Sequence, residues 1–562
     1  MALVTFNRKD LEKLIGKKLS DSDYTDRLVM LGVPLERITE EEVDFEVFPN
    51  RSDLLSVEGF ARAAQGFLGI KTGLPQFEVK KSNFSVSVDK RLIGLRGCAA
   101  FAVAKDLKFT DESIAAFMQL QDKLATTIGR KRKKVGLGTY DLDELRFPIN
   151  YTVAPKSTKF VPLGFTEQIS LEEIKNKHPK GKDFGEMLEN WIEYPVYIDA
   201  KKRIMGIVPL TGAEFAKITS KTRNIFIEVT GTEWKAVMEI LNIVTTALAD
   251  RGARIFEVKT FYPTKKVIHA PDLRARRMKL DLNYTNELLD LDLKPKEAKE
   301  ILEKMRFGML GNDVLIPAYR TDIMHPIDLV EDIAIGHGYE KFEPHVPKIA
   351  TIANPLEKEE YSNRIREITL GLGFQEVVTF ILSNELNEFE KIKKERVEHV
   401  EILNPKTVDY TMARLSLIPS LLNVFAQNQS NEFPQKIFEL GQTVKVDKNA
   451  ETGAINVLKL CAGISDSKIG FTEMKSNLET FFRNFGKQHG SLASVRVKEQ
   501  SSFTNFELNE IDDETFIGGR AAQILVGGKI IGVIGEIHPE VLNNFKIDYP
   551  VVLFELNIEK LK

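Results

Sequence analysis

A chain of 562 residues is too long to be built around one hydrophobic core, and this limits its fold more than any other feature of the sequence. At about 150 residues per domain, roughly three to five domains are expected. Hydrophobic residues make up 43% of the chain and charged residues 28%, a composition that excludes disorder of the whole chain. Lys and Arg total 78, and Asp and Glu total 81. The resulting formal charge of -3 excludes a uniformly basic nucleic-acid-binding protein but allows local basic patches.

The cysteine content and the hydropathy of the chain indicate the compartment. Cys98 and Cys461 lie far apart in the sequence and fit neither a zinc module nor a disulfide framework, so a reducing compartment is expected. No apolar run reaches the about 18 residues that a transmembrane helix needs. The amino-terminal segment becomes charged at Arg8, which is not typical of a signal peptide. These features predict a cytoplasmic protein without membrane contact.

Changes in patterning predict four segments. Residues 1–83 form a small α+β unit, and residues 84–265 alternate strand-like runs with amphipathic helices, which is typical of an α+β or α/β domain. Residues 266–348 are richer in helix and end among prolines. Residues 349–562 begin with helix, strand and helix, and continue as mostly antiparallel strands with glycine-rich turns.

The segment Arg-Thr-Asp-Ile-Met-His-Pro-Ile-Asp-Leu-Val-Glu-Asp, which ends at Asp332, concentrates acidic residues at the start of a predicted helix. Pro326 suits the first helical position. Asp328, Glu331 and Asp332 share one helix face because of their i, i+3, i+4 spacing, and Asp322 can fold back toward that face. Four converging carboxylates need a cation, and oxygen ligands suit Mg²⁺. Acids in a first helical turn can equally complement the helix dipole, so both interpretations stay open.

A run of five basic residues follows a helix predicted for residues 113–127. The run consists of Arg130, Lys131, Arg132, Lys133 and Lys134. Such a run can follow a phosphate backbone. It can equally be a solvated loop or a targeting patch, and one basic run does not distinguish among these functions.

A third candidate site lies at the end of a strand predicted for residues 224–229. Glu228 and Thr230 would point to the same face, because alternate residues of a strand do so. They precede a helix predicted for residues 232–251, a position where ligands of α/β proteins usually bind. The alternative is a polar sheet face with no ligand. The sequence contains no Walker loop, no Gly-x-Gly-x-x-Gly after a strand, no Gly-x-Ser-x-Gly elbow and no His-Glu-x-x-His, which are signatures of other enzyme classes.

Four blocks of sequence point to a known family. They are residues 48–59 (Phe-Pro-Asn-Arg-Ser-Asp-Leu-Leu-Ser-Val-Glu-Gly), 138–143 (Gly-Thr-Tyr-Asp-Leu-Asp), 319–339 (Tyr-Arg-Thr-Asp-Ile-Met-His-Pro-Ile-Asp-Leu-Val-Glu-Asp-Ile-Ala-Ile-Gly-His-Gly-Tyr), and 436–441 (Lys-Ile-Phe-Glu-Leu-Gly) with 535–540 (Gly-Glu-Ile-His-Pro-Glu). In this order and at these distances they are highly specific. Essentially the whole chain resembles the phenylalanyl-tRNA synthetase β subunit family, of the archaeal and eukaryotic cytosolic type.

The resemblance implies a multidomain α/β and α+β fold. Residues 1–83 would be the N-terminal α+β unit and 84–265 the editing domain. Residues 266–348 would form a small domain with a winged, DNA-binding-like fold, and 349–562 a class II synthetase-like antiparallel sheet module without catalytic competence. The resemblance also places Mg²⁺ on Asp322, Asp328, Glu331 and Asp332.

The resemblance further implies a partner and two reactions. With an α subunit, in an α₂β₂ tetramer, the chain would attach phenylalanine to tRNA(Phe) using ATP, and the α subunit would bind ATP and phenylalanine. The chain would also hydrolyse mischarged tyrosyl-tRNA(Phe), with Glu228 and Thr230 in the editing pocket and residues 130–134 on the tRNA. Arg414 resembles a remnant of the second class II motif, but Gly518-Gly-Arg-Ala-Ala stands where the Gly-x-Gly-x-x-Arg of the third motif would be. ATP binding by this chain alone is therefore not expected.

Two other functions compete with this interpretation. An autonomous tRNA deacylase would need only residues 84–265, and the rest of the chain disfavours it. A DNA-binding regulatory protein would use the winged-type domain and the basic run, but the overall charge of -3 disfavours it.

Overall fold

A computed structural model of the chain describes residues 2–347, 351–489 and 506–561. The chain divides into two compact units, Met1–Val346 and Pro347–Lys562. The predicted boundaries after residues 83 and 265 both fall inside the first unit and stay predictions, whereas the boundary between 348 and 349 lies outside the described residues. A mixed α/β fold of more than one domain is confirmed. No described helix combines the length and apolar character that crossing a membrane requires.

The first unit begins with a three-stranded antiparallel sheet in the order β1-β3-β2. Its strands and helices are β1 (Ala2–Asn7), α1 (Arg8–Ile15), β2 (Leu35–Ile38), β3 (Glu42–Val47) and α2 (Val57–Phe67). Phe6 of β1 and Phe45 of β3 point inward and pack on Phe60 of α2, with ring centroids 5.2 and 4.5 Å from that of Phe60. The Ser56 hydroxyl caps α2 by accepting a hydrogen bond from the Gly59 amide at 2.9 Å.

The candidate editing region forms an eleven-stranded mixed sheet in the order β13-β12-β11-β8-β5-β15-β6-β14-β7, with β4 and β16 also paired to β15. A separate pair, β9 and β10, lies outside this sheet. The strands are β4 (Val79–Lys80), β5 (Ser85–Val88), β6 (Cys98–Lys105), β7 (Val135–Asp141), β8 (Ile149–Pro155), β9 (Lys159–Phe160), β10 (Ile169–Ser170), β11 (Glu193–Ile198), β12 (Ile204–Ile207), β13 (Thr211–Gly212), β14 (Ile225–Gly231), β15 (Arg254–Phe261) and β16 (Val267–Ala270).

Four helices accompany this sheet: α3 (Asp111–Thr126), α4 (Ile174–Lys177), α5 (Pro179–Phe184) and α6 (Trp234–Asp250). The strand and the two helices predicted for this region are confirmed as β14, α3 and α6, with ends shifted by one or two residues. The two faces of β14 enter different cores. Ile225, Ile227 and Val229 join the large core of the first unit, whereas Phe226 joins an aromatic core on the opposite face.

The remainder of the first unit is a small sheet in the order β17-β19-β18 with three helices. Its elements are β17 (Arg276–Lys279), α7 (Leu282–Leu289), α8 (Pro295–Lys304), β18 (Gly308–Leu310), β19 (Asp313–Ile316) and α9 (Pro326–His337). Helix α9 begins at Pro326, the position that the sequence predicts. Leu329 and Ile333 of α9 are buried in the core of the unit.

The second unit is built on a seven-stranded sheet in the order β20-β23-β24-β28-β27-β26-β25, antiparallel except for the β20–β23 pair. This confirms the antiparallel strands predicted for this part of the chain. The second unit also contains a separate pair, β21 and β22. The strands of the unit are β20 (Gln375–Glu376), β21 (Leu382–Ser383), β22 (Met412–Ala413), β23 (Gln435–Val446), β24 (Ala454–Ser465), β25 (Phe506–Glu510), β26 (Phe516–Val526), β27 (Lys529–Ile537) and β28 (Val551–Asn557). Its helices are α10 (Glu357–Gly371), α11 (Ile418–Gln427), α12 (Phe471–His489) and α13 (Pro539–Phe545).

Candidate functional site

Glu228 lies on β14, between the antiparallel neighbours β6 and β7. Its register partners are Phe101 on β6 and Gly138 on β7. A Cβ atom at Gly138 would lie 2.6 Å from Glu228 Oε1, so glycine leaves the space that the carboxylate occupies. The residue is only 5% exposed, and its Oε2 accepts a hydrogen bond from the Tyr197 hydroxyl at 2.7 Å. The sheet therefore presents a buried carboxylate that holds a phenol.

The protonation of Glu228 is set mainly by its burial. Burial raises the pKa of Glu228 to about 7, against the hydrogen bond from Tyr197 and the positive charges of Arg96 and Arg132. Near neutral pH the carboxyl group is thus divided between its neutral and charged forms. A carboxyl group in this state can accept or donate a hydrogen bond. Shifted pKa values of this kind are common at functional sites.

Thr230 points to the same face as Glu228, as the strand periodicity predicts, and it is fully buried. Its hydroxyl accepts a hydrogen bond from Arg96 Nε at 3.3 Å, and its carbonyl accepts one from Arg96 Nη2 at 3.0 Å. Arg96 Nη1 also donates to the carbonyl of Lys133 at 3.3 Å. Arg96 thus connects Thr230 to the basic run. No local pattern marks this arginine, because its role depends on contacts with residues distant in sequence.

The basic run forms a tight turn between α3 and β7. Arg130, Lys131 and Arg132 all have left-handed backbone conformations, with φ of 48°, 53° and 66°. Three successive non-glycine residues rarely adopt this conformation. Backbone hydrogen bonds from Lys131 to Thr126 and from Arg132 to Ala125, at 3.2 and 2.9 Å, hold the turn. The run is therefore a defined structure rather than an extended loop.

The side chains of the run divide into anchored and exposed groups. Arg132 folds back, donates to the Pro209 carbonyl at 2.8 Å and pairs with Asp122 at 3.4 Å. Lys134 pairs with Glu233 at 2.7 Å. The exposed members are Arg130, Lys131 and Lys133. Only these three side chains are fully presented to a ligand in solution.

The acidic segment is organised around Arg320, whose role the sequence pattern did not indicate. The buried guanidinium binds Asp322 at 2.7–3.2 Å and Asp332 at 2.5–3.2 Å. Burial alone would raise the pKa of Asp322, but Arg320 holds it below its ordinary value. Burial likewise raises the pKa of Asp332, against the attraction of Arg320.

The other two acids point elsewhere. Asp328 Oδ2 accepts hydrogen bonds from the backbone amides of Met324 and His325, both at 2.7 Å, and so caps α9. Glu331 is exposed. Among the described residues, no three of the four predicted Mg²⁺ ligands bring oxygen atoms within 4.8 Å of one another. As arranged, Arg320, Asp322 and Asp332 form an internal arginine–carboxylate cluster, and Asp328 forms a helix cap.

Comparison with known proteins identifies the family. The phenylalanyl tRNA synthetase beta chain CLM domain matches residues 343–558, the tRNA synthetase B5 domain residues 278–339, and the B3/4 domain residues 111–249. The phenylalanine–tRNA ligase beta subunits of Pyrococcus abyssi and Archaeoglobus fulgidus are 37% and 38% identical to the chain, over 99% of this chain and 98% of each relative. The chain belongs to the phenylalanine–tRNA ligase β subunit family.

A solved structure supports this assignment to the phenylalanine–tRNA ligase β subunits. An N-terminal fragment of the phenylalanyl-tRNA synthetase beta subunit from Pyrococcus horikoshii matches with a TM-score of 0.58 and 37% identity, covering 60% of this chain and 100% of that chain. Within the family pattern, the B3/4 domain match includes Glu228, Thr230 and the basic turn, and the B5 domain match includes the acidic segment around Arg320.

The second unit of this β subunit family member holds the arginine that resembles a class II motif remnant. Arg414 is buried and donates to Glu439 at 2.8 Å, to the Thr379 hydroxyl at 2.6 Å and to the Gln442 carbonyl at 2.9 Å. The chain's own groups therefore occupy its guanidinium. Arg520, from the Gly-Gly-Arg segment, pairs instead with Glu536 at 2.7 Å.

Proposed function

We propose that the chain is the β subunit of a phenylalanine–tRNA ligase that, with an α subunit in an α₂β₂ tetramer, attaches phenylalanine to tRNA(Phe) using ATP. It also hydrolyses mischarged tyrosyl-tRNA(Phe) in a pocket that includes Glu228 and Thr230. The contact between the Glu228 carboxylate and the Tyr197 hydroxyl supports the editing proposal, because this carboxylate accepts a hydrogen bond from a phenol of the chain itself. The full-length family match favours this function over an autonomous deacylase or a DNA-binding regulator.

A second site is needed because tyrosine is phenylalanine with one added hydroxyl group. A pocket built for an apolar ring rejects the hydroxylated ring by only about 10²-fold. A site that hydrogen bonds the hydroxyl discriminates in the opposite direction, since phenylalanine leaves its polar groups unpaired. In this proposal, the buried Glu228 carboxylate is the group that hydrogen bonds the tyrosine hydroxyl.

The substrate hydroxyl would bind Glu228 in its charged form. Oε2 already accepts from Tyr197, so the substrate would use Oε1, which faces Gly138, or would replace the Tyr197 hydroxyl. Phenylalanine offers no donor for either position. The groups that hydrogen bond Glu228 and Thr230 include Tyr197 and Arg96, which are not activated nucleophiles. The proposed nucleophile is therefore water, positioned by polar side chains, the backbone or the tRNA.

Incubation of the protein with pre-charged tRNA tests this function directly. Tyrosine should be released from tyrosyl-tRNA(Phe), whereas phenylalanyl-tRNA(Phe) should remain charged. Equal hydrolysis of both substrates would contradict a site that recognises the hydroxyl.

Three further features are proposed together with this function. They are a winged fold around α9, a class II-like arrangement of the second unit, and a cytoplasmic location.

The basic turn is proposed to hold the tRNA acceptor end. Replacing its three exposed members, Arg130, Lys131 and Lys133, with glutamine should weaken tRNA(Phe) binding and lower the slope of log affinity against log salt concentration by about 2–3. Binding measured at several salt concentrations gives this slope. The matched control neutralises three exposed lysines on other segments, Lys159, Lys201 and Lys221, and should keep the wild-type slope. A loss of slope in both variants would point to nonspecific attraction.

The Mg²⁺ site on the four acids remains a proposal, and thermal melts with and without Mg²⁺ test it. Asp332→Asn should destabilise the protein by about 3–5 kcal/mol with or without Mg²⁺, because it breaks a buried pair with Arg320. A double change of Asp328→Asn and Glu331→Gln should instead remove a Mg²⁺-dependent gain in melting temperature. An unchanged Mg²⁺ response in the double variant would rule the site out.

A further inference from the structure

Three neighbouring segments of the second unit bring Glu385, His399 and Glu401 together. Strands β21 and β22 pair, and Glu401 forms an antiparallel bridge with Met412 of β22. The amide of Ala413 also donates to the Val400 carbonyl at 3.0 Å. Glu385 follows β21, and His399 and Glu401 flank Val400, so the backbone brings these three residues together. Their nearest ligand atoms lie within 4.8 Å of one another.

The contacts of His399 define which ring nitrogen is free. Nδ1 lies 2.7 Å from the Val397 carbonyl, which can only accept, so Nδ1 carries the hydrogen. Nε2 therefore presents a lone pair toward the two glutamates. The side chain is 5% exposed, and Nε2 makes no hydrogen bond to any group in the described part of the chain. An imidazole whose other nitrogen donates to a carbonyl is the usual arrangement of a metal-ligating histidine.

The spacing matches a tetrahedral metal ion. His399 Nε2 lies 3.4 Å from Glu385 Oε1 and 3.6 Å from Glu401 Oε1. Two ligands at about 2.0–2.2 Å from a tetrahedral Zn²⁺ are about 3.3–3.6 Å apart. Arg396 holds the other oxygen of Glu385 and turns Oε1 toward the histidine. Two carboxylates and one arginine give the site a net negative charge, which attracts a divalent cation.

The geometry points to a Zn²⁺ site formed by Glu385 Oε1, His399 Nε2 and Glu401 Oε1, with water as the fourth ligand. One imidazole and two carboxylates form a mixed nitrogen and oxygen set, which suits Zn²⁺ better than Mg²⁺. The bound ion joins the residues after β21 to the segment before β22, so it stabilises this part of the second unit. This site is independent of the proposed editing function and of the acidic segment around Arg320.

Zn²⁺ titration of the chelator-treated, full-length protein, in the form in which it purifies, tests the proposal. Wild type should bind one Zn²⁺ per chain at this site, and Co²⁺ at the same site should give the absorption bands of a tetrahedral ion. Loss of an outer-shell partner of a metal ligand weakens metal binding by about 10- to 100-fold. His399→Ala removes a ligand itself and should weaken Zn²⁺ binding by more than this. Glu401→Gln should weaken it too without unfolding the chain, because the Glu401 side chain is 73% exposed.

The matched control is Glu398→Gln, which changes a neighbouring exposed acid that pairs with Lys448 and should leave Zn²⁺ affinity unchanged. Equal Zn²⁺ affinity in wild type and Glu401→Gln would overturn the proposal. Absence of binding by wild type at micromolar Zn²⁺ would also overturn it.

Discussion

Glu228→Ala is expected to slow the hydrolysis of tyrosyl-tRNA(Phe) by about 10- to 100-fold while phenylalanine charging with the α partner stays at its wild-type rate. A hydrogen bond to a charged group contributes about 1.5–3 kcal/mol, and about 1.4 kcal/mol corresponds to a factor of ten. The variant loses the only group proposed to recognise the substrate hydroxyl. Deacylation of pre-charged tyrosyl-tRNA(Phe) by the variant enzyme gives the rate.

Two further variants separate recognition from folding. Glu228→Gln keeps the volume of the side chain and an acceptor for Tyr197, but it removes the charge. Thr230→Val keeps the shape of Thr230 and removes the hydroxyl that accepts from Arg96. Wild-type deacylation rates for both Glu228→Ala and Thr230→Val would place the pocket elsewhere.

The pH profile adds an independent readout for Glu228. Its pKa of about 7 means that the carboxyl group is protonated at lower pH and then lacks the charge that strengthens binding of the tyrosine hydroxyl. The preference for tyrosyl-tRNA over phenylalanyl-tRNA should therefore fall as pH decreases through about 7, and Glu228→Gln should lack this dependence. Above pH 7 the buried charge costs about 3 kcal/mol relative to an ordinary glutamate, so Glu228→Gln should melt no lower than wild type at pH 8. A lower melting temperature would indicate a folding defect.

The isolated chain is expected to give no phenylalanine-dependent pyrophosphate exchange, and addition of the α partner should restore formation of phenylalanyl-tRNA(Phe) with ATP and Mg²⁺. The Gly-x-Gly-x-x-Arg of the third class II motif is absent from the sequence. Arg414, which resembles a remnant of the second motif, is bound to Glu439, Thr379 and Gln442 and is not available to a nucleotide in this arrangement.

Co-purification provides the control for this second experiment. The chain should be recovered with a class II synthetase subunit when both are expressed together, and the complex should have the mass of an α₂β₂ tetramer. The α subunit alone serves as the comparison for exchange activity. Exchange by the isolated β chain above the background of a mock purification would contradict the assignment of the synthetic site to the partner.

Sequence periodicity predicted the elements of the candidate editing region well because it depends on local structure. The strand predicted for residues 224–229 and the helix predicted for 232–251 are present as β14 and α6. The shared face of Glu228 and Thr230 follows from the same periodicity. The partners of these side chains could not be predicted. Tyr197 and Arg96 come from distant segments, and their positions depend on sheet order rather than on any local pattern.

In the acidic segment, the sequence pattern predicted the helix but not the partners of the carboxylates. Its helix start at Pro326 was predictable from the sequence. The spacing did not predict that Asp332 is buried while Glu331 is exposed. Arg320 lies only two residues before Asp322, yet spacing does not reveal that its guanidinium is buried between Asp322 and Asp332. Side-chain direction at a turn is decided by tertiary packing, which the sequence pattern does not describe.

The position of β14 between two antiparallel neighbours restricts which sequence changes leave Glu228 in place. The neighbours β6 and β7 fix the register of Glu228 opposite Phe101 and Gly138. Insertion or deletion of one residue within β14 would turn every following side chain to the opposite face, so Val229 would replace Glu228 on the aromatic side. Substitution at position 228 therefore leaves the register of β14 intact, whereas a change in the length of β14 does not.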